Sequence, residues 1–283
     1  MNCILVINKE KNITSRDVVN IISKKFNTKK VGHSGTLDPI ATGVLVIAIN
    51  KYTKLINILT SSYKEYIATL KLGIQTDTLD ITGNIINKKD FNVDEDTIKK
   101  VLNSFLGKSL QEVPKYSAVK IKGKKLYEYA RNNIEVELPK REIDITNIEL
   151  LDYKDNKITF KTTVSKGTYI RSLINDICTK LNTIGTMSKL IRTKQGEFTL
   201  EESSTLEDIK NNKYKLLTNE EVLTNLEIID IDDNLYHLVS NGAIIDKIFK
   251  NEIACLRYQD KIIAIYKTYD KDHSKAKPNI MFI

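Results

Sequence analysis

The residues best suited to chemistry are gathered in one short stretch, Gly32-His33-Ser34-Gly35-Thr36-Leu37-Asp38-Pro39-Ile40-Ala41-Thr42-Gly43. Small residues surround a single carboxylate. Glycines let a backbone approach a ligand closely, and Pro39 biases Asp38 away from the α region toward an extended conformation. Asp38 therefore reads as an acid held on a shaped loop at the start of a buried strand, although an ordinary turn with an Asp–Pro step has the same composition. The chemistry on offer is that of a lone carboxylate and not of a phosphate cradle. No GxxxxGK[ST] occurs, and the element that follows is apolar strand, not a helix N-terminus. The three cysteines (Cys3, Cys178, Cys255) and three histidines (His33, His237, His273) are scattered, with no CxxC pair. An odd, dispersed set of cysteines speaks against a disulfide framework, and no metal site is expected.

The elements that must position this loop can be read from periodicity. Cys3–Ile7 is an apolar strand, and Thr14 or Ser15 caps a helix through about Phe26 with Val18, Val19, Ile21 and Ile22 as its apolar stripe. Val44–Ile49 is a buried strand, and Asn50 is expected to cap a helix through Leu59. Tyr66, Ala68, Leu70 and Leu72 alternate with Glu65, Ile67, Thr69 and Lys71 as a half-buried strand does. Asp94 or Asp96 opens a helix carrying Ile98, Val101, Leu102, Phe105 and Leu106, stopped at Gly107. Strands follow at Ser117–Ile121, Ile143–Leu150 and Ile158–Val164. Next come a helix carrying Ile170, Leu173, Ile174, Ile177 and Leu181, and short strands at Met187–Arg192 and Gly196–Leu200.

Helices and strands interleave without βαβ regularity, which implies a mixed α+β domain with a mainly antiparallel sheet. Beyond the polar stretch Asn211–Asn225 the texture changes. An acidic run, Asp230–Asp233, precedes strand-like Ala254–Tyr258, Ile262–Tyr266 and Ile280–Ile283. A division into residues 1–228 and a small β-rich unit of residues 229–283 is expected, the latter docking on the former because it is small for a core of its own.

The 283 residues carry 44 Lys plus Arg against 36 Asp plus Glu, a formal net charge of +8. That suits an anionic partner without requiring one. No run approaches the roughly 18 apolar residues of a membrane span. The opening MNCILVINKEKN is too short for a signal peptide core. A soluble, cytoplasmic protein is expected.

GHSGTLDPIATGVL resembles the signature of the TruB family of tRNA pseudouridine synthases, and further segments resemble that family in the same order. Tyr63-Lys64-Glu65-Tyr66, Gly73 and Thr76-Asp77-Thr78-Leu79-Asp80-Ile81-Thr82-Gly83 resemble its K-x-Y, LG and TDT-x-D-x-x-G run. Pro114, Tyr116-Ser117-Ala118-Val119-Lys120 and Gly123-Lys124-Lys125-Leu126-Tyr127-Glu128-Tyr129-Ala130-Arg131 resemble P-x-YSA-x-K-x-x-G-x-x-LYEYAR. Ser165-Lys166-Gly167-Thr168-Tyr169-Ile170-Arg171-Ser172-Leu173 with Asp176, and Met187 to Thr193, match two more motifs. The chain departs from the family's early K-P-x-G-x-[ST]-S, where Glu10 and Asn12 stand for the proline and the glycine. Val113 stands where a second proline is common.

The resemblance implies a pseudouridine-synthase-like fold with a C-terminal PUA-like RNA-binding domain. It also implies isomerisation of the T-loop uridine at tRNA position 55, with the base flipped out of its stack. No cofactor or metal is implied. The partner is the tRNA T stem-loop, and a monomer is expected. By position, Asp38 is the catalytic carboxylate, acting on sugar or base as a nucleophile or by abstracting a sugar proton. Arg171 is its cationic partner, and Tyr66 stacks under the uracil. Tyr169 and Leu190 close the pocket, with Tyr169 expected to touch Arg171 or Asp38. His33, Lys9, Gly35, Thr36 and Leu37 fall at substrate-binding positions. Phosphate contacts are expected from Lys24, Lys25, Lys29 and Lys30 and from Lys120, Lys122, Lys124 and Lys125. A non-catalytic tRNA-binding protein and a synthase acting on ribosomal RNA are the competing readings.

Overall fold

The computed structural model describes residues 1–59, 63–132 and 134–283. The first strand, β1 (Cys3–Lys9), leads into α1 (Ser15–Lys25), whose N-terminus is closed by a reciprocal Thr14/Asp17 capping box. The short β2 (Val31–His33) precedes the candidate loop, and β3 (Thr42–Ile49) follows it. After β4 (Lys64–Leu72) come α2 (Glu95–Asn103), β5 (Gly107–Glu112), the long β6 (Lys140–Lys154) and β7 (Lys157–Val164). The helix α3 (Ile170–Lys180) and β8 (Gly185–Gln195) complete the main sheet.

The strands run in the order β1-β3-β8-β4-β7-β6-β5, with β2 added against β3. Neighbours are antiparallel except for the short β8–β3 contact, which is parallel. The α+β class and mainly antiparallel sheet expected from the sequence are those observed.

β1 and β3 are apolar along their whole length because both of their faces are covered. Leu5, Ile7, Leu45 and Ile47 pack with Val18, Val19 and Ile22 of α1. Ile4, Val6, Val44 and Val46 pack instead with Cys255, Ile262, Ile265 and Ile280 of a second sheet. β4 alternates, its Tyr66, Ala68, Leu70 and Leu72 joining a core with Leu173, Ile174 and Ile177 of α3.

The second sheet has five strands, ordered Glu227–Asp230, Ile253–Tyr258, Lys261–Tyr269, Asp272–Met281 and Ile245–Asp246. It shares a core with the back of the main sheet. The acidic run ends as a helix start, with Asp232 capping Asp233–Ser240. No helix among the described residues is long and apolar enough to cross a membrane.

Several local expectations are corrected. The chain after β3 takes a 3₁₀ turn over Asn50–Leu55 and a single α turn over Ile56–Leu59, not one capped helix. Asn50 has φ +55°, and its side chain accepts from Thr28 Oγ1 at 2.7 Å and donates to the Met1 carbonyl, so it ties the chain end instead of capping. Ser117–Ile121 contributes only Lys120–Ile121, paired with Lys124–Lys125. The last strand is Asp272–Met281, not Ile280–Ile283. Only Ala276 and Ile280 of it are buried, too sparse a pattern to read as a strand. The three cysteines are free and buried.

Candidate active site

The loop from Ser34 to Ala41 hangs between β2 and β3 and is pinned at several points. Gln195, buried at the end of β8, donates to the Ser34 carbonyl at 3.0 Å and to Ser34 Oγ at 2.7 Å. Ser15 Oγ donates to the Leu37 carbonyl at 3.2 Å and accepts from the Leu37 N–H at 2.9 Å. Leu37, Ile40 and Ala41 sink into the core beside α3. At the exit, the Gly43 Cα faces Arg192 so closely that a Cβ there would lie 2.2 Å from the Arg192 carbonyl oxygen. The φ of +104° likewise favours glycine. The glycines thus serve close packing of a loop that these contacts pin at both ends.

Lys9 supports the loop from beneath. It is wholly buried, and its ammonium donates to the carbonyls of Ile13 at 2.7 Å, Glu10 at 2.8 Å and Pro39 at 3.5 Å. Burial pulls its pKa down to about 8 against the opposing pull of Asp38. Asn12, standing where the family pattern has glycine, adopts φ +69° and donates its N–H to the Pro39 carbonyl at 2.7 Å. Asparagine tolerates this left-handed conformation, so the turn survives the loss of proline and glycine.

Arg171, on the first turn of α3, grips Asp38 with two donors. Nε lies 2.9 Å from Oδ2 and Nη2 lies 3.1 Å from Oδ1. Its remaining donors go to the carbonyls of Tyr116 at 3.0 Å and Thr78 at 3.2 Å. The arginine side chain is 6% exposed and the carboxylate 32%, so the cation is sealed in and the acid looks out.

It looks into a cavity of about 470 Å³ whose walls include Gly35, Thr36, Leu37, Asp38, Tyr66, Tyr169, Arg171 and Leu190. Tyr66 and Leu190 reach it from β4 and β8. Of the remaining expected residues, Lys9 lies under the loop and His33 beside it. The His33 Nδ1 accepts from the Gly35 N–H at 3.3 Å. Burial, then Arg192 and Arg16, lower its pKa, so it is a neutral ring.

Tyr169 departs from expectation. Among the described residues, neither Arg171 nor Asp38 hydrogen-bonds its hydroxyl. Its backbone is clamped instead by buried Gln111, which accepts from its N–H at 2.8 Å and donates to its carbonyl at 3.1 Å.

Sequence reasoning missed Lys64, Lys166, Arg192, Tyr116 and Tyr127, all of which line the cavity. Two were accessible by strand alternation. Lys64 is two residues from Tyr66 and Arg192 two from Leu190, hence on the same faces. Lys125 borders the cavity through Tyr127, its ammonium 5.4 Å from that ring's centre. Lys24 and Lys25 occupy the last turn of α1.

Two family models match the chain. Residues 23–170 fit the N-terminal domain of TruB family pseudouridylate synthase, and residues 171–232 fit the tRNA pseudouridylate synthase B C-terminal domain. A tRNA pseudouridine synthase B from Clostridium tetani is 44% identical over 274 residues, covering 94% of this chain and 95% of the relative. One from Mycoplasma mobile is 42% identical, covering 93% and 90%. Among solved structures, an H/ACA ribonucleoprotein bound to a substrate RNA containing 2′-deoxyuridine aligns with a TM-score of 0.73. Its identity is 25%, over 99% of this chain and 85% of that one. With a loop-borne aspartate held by a buried arginine, and with both models and full-length relatives agreeing, the chain belongs to the TruB family of pseudouridylate synthases.

Proposed function

We propose that the cavity is where the uridine at position 55 of a tRNA T-loop becomes pseudouridine, with Asp38 as the catalytic carboxylate. Membership of the TruB family makes the protein a tRNA pseudouridine synthase. The reaction breaks the N1–C1′ bond, turns the uracil and rejoins it through C5. The C5 proton leaves and N1 takes one up, so the change is redox-neutral. Neither C1′ nor C5 is accessible while the base is stacked, so the nucleotide is flipped into the cavity first.

The observation that carries the reading is the two-point grip of Arg171 on Asp38. Held at both oxygens, the carboxylate cannot rotate away, and its exposed side is presented to the cavity. Tyr66 offers a flat, largely buried ring for the flipped uracil and a phenol for proton transfer at C5. Leu190 and Tyr169 close the space around the base, and His33, a neutral ring beside Gly35, meets the RNA loop at the rim. Every described residue lining the cavity precedes residue 193, which supports a catalytic unit within residues 1–228, and we read the protein as a monomer. A tRNA substrate puts the reaction in the cytoplasm.

Incubation with an unmodified T stem-loop transcript, followed by assay for pseudouridine, tests this. Product is expected from the wild type and none from Asp38→Asn, with binding retained. Tight binding by the wild type without product would overturn it in favour of a non-catalytic tRNA-binding protein. Product mapped only to ribosomal RNA would overturn the substrate.

A further inference from the structure

The cavity of the Asp38–Arg171 pair is also lined by cations that a neutral uracil does not call for. Lys64, 8% exposed, and Arg192, 1% exposed, both face in. A Cβ on Gly35 would lie 3.6 Å from Arg192 Nη1 and 3.8 Å from Lys64 Cε, so the two side chains converge beside a residue that carries none. Lys166 lines the same cavity from the loop that enters α3. Arg192 donates to neutral carbonyls, Nε to Val44 at 2.6 Å and Nη2 to Gly35 at 3.1 Å. Asp38, already gripped by Arg171, is the single carboxylate among the described residues of the wall.

Like charges brought together, with Lys64 and Arg192 taken out of water, raise the energy of the site, and an anion arriving among them relieves it. Part of that cost is visible at Lys64, where burial, then Arg192 and Lys166, bring the pKa down to about 8. The anionic part of a nucleotide is its phosphate. We infer that Lys64, Lys166 and Arg192 seat one backbone phosphodiester of the bound RNA, adjacent to the flipped uridine. The inference rests on the activity proposed above. In it, the base is placed against Tyr66 and the ribose over Asp38, while the backbone is held by the cations around Gly35. A wobbling nucleotide would lose the alignment of C1′ with the carboxylate, so the seat acts on turnover as well as affinity.

The test uses T stem-loops in which one phosphodiester at a time, on either side of the target uridine, is replaced by a neutral methylphosphonate. Binding and turnover are measured for the wild type, Lys64→Gln and Lys166→Gln. For the wild type, one position should lose about 10-fold or more in affinity or kcat/KM, the scale of a charge-assisted hydrogen bond. In either variant the same replacement should cost clearly less than in the wild type, because one of the charges it addressed is gone. Lys166 is exposed on a loop, so its variant decides the matter even where Lys64→Gln folds poorly. Equal penalties in wild type and variants, or no penalised position, would overturn the seat. A wild type that binds the stem-loops with this pattern but makes no pseudouridine would overturn the activity and leave the seat standing.

Discussion

Tyr66 and Arg192 are direct cross-strand partners on β4 and β8, so the ring and the guanidinium emerge side by side on one face of the sheet. From there Arg192 reaches to the carbonyls of Val44 and Gly35, joining the strand that carries Tyr66 to the loop that carries Asp38.

This join depends on Gly43, which sits opposite Arg192 in the parallel β3–β8 contact. Gly43→Ala puts a methyl into the Arg192 backbone and forces a left-handed alanine. We expect a loss of about 2–4 kcal/mol in stability by urea unfolding. Turnover of the folded fraction should fall as well. A change under about 0.5 kcal/mol would show that the strands can part without cost.

Arg171→Lys keeps a positive charge beside Asp38 but cannot make two parallel bonds or also reach Thr78 and Tyr116. Turnover should fall by about 10²-fold or more, since positioning is lost. RNA affinity should move far less. Single-turnover assays alongside anisotropy titrations separate the two, and an effect confined to binding would remove the positioning role.

Asn12→Ala should destabilise the protein by about 1 kcal/mol, the penalty of a left-handed non-glycine residue lacking asparagine's local bonding. Asn12→Gly should be close to neutral, because glycine adopts φ +69° freely but loses more entropy on folding. Chemical denaturation of the three proteins measures both, and equal stability of the alanine and glycine variants would sink the account.

Stability and RNA binding should move in opposite directions between about pH 8 and 9. Lys9 and Lys64 are lowered to about 8 from 10.5, so between those values the unfolded chain holds protons the folded chain has released. Stability then rises with pH. The buried thiols of Cys178 and Cys255 run the other way. They are pushed up to about 12 from 9.0, so above pH 9 the unfolded chain loses protons the folded chain keeps, and stability falls. The melting temperature of the RNA-free protein should therefore peak between about pH 9 and 10. Affinity for the stem-loop should already be declining there as Lys64 discharges. A melting temperature that falls steadily from pH 7.5 would contradict the lysine contribution.

Much of the scaffold was legible because local pattern and burial coincide. Thr14, one of the two expected caps, marks the start of α1, the unbroken apolar runs of β1 and β3 reflect cover on both faces, and Lys64 to Leu72 alternates. The loop around Asp38 had the composition of an ordinary turn as well, and the family resemblance of its motif and of the segment around Arg171 singled the two out. What stayed hidden depends on contacts between distant residues. Nothing near Gln111 announces that it will clamp Tyr169, 58 residues on. The buried cations Lys64 and Arg192 look like surface residues until their strands are laid side by side. The register that turns both inward is set by β8 crossing between β3 and β4.

That crossing has a consequence for the newborn chain. β3, beside the Asp38 loop, and β4, which carries Tyr66, are never hydrogen-bonded to each other. They are bridged by β8, made more than a hundred residues later. Until Gln195 has left the ribosome and β8 has slotted in, the chain consists of two half-sheets with no shared pocket. A product truncated or stalled before β8 is therefore expected to make no pseudouridine, the site being complete only when its central strand arrives.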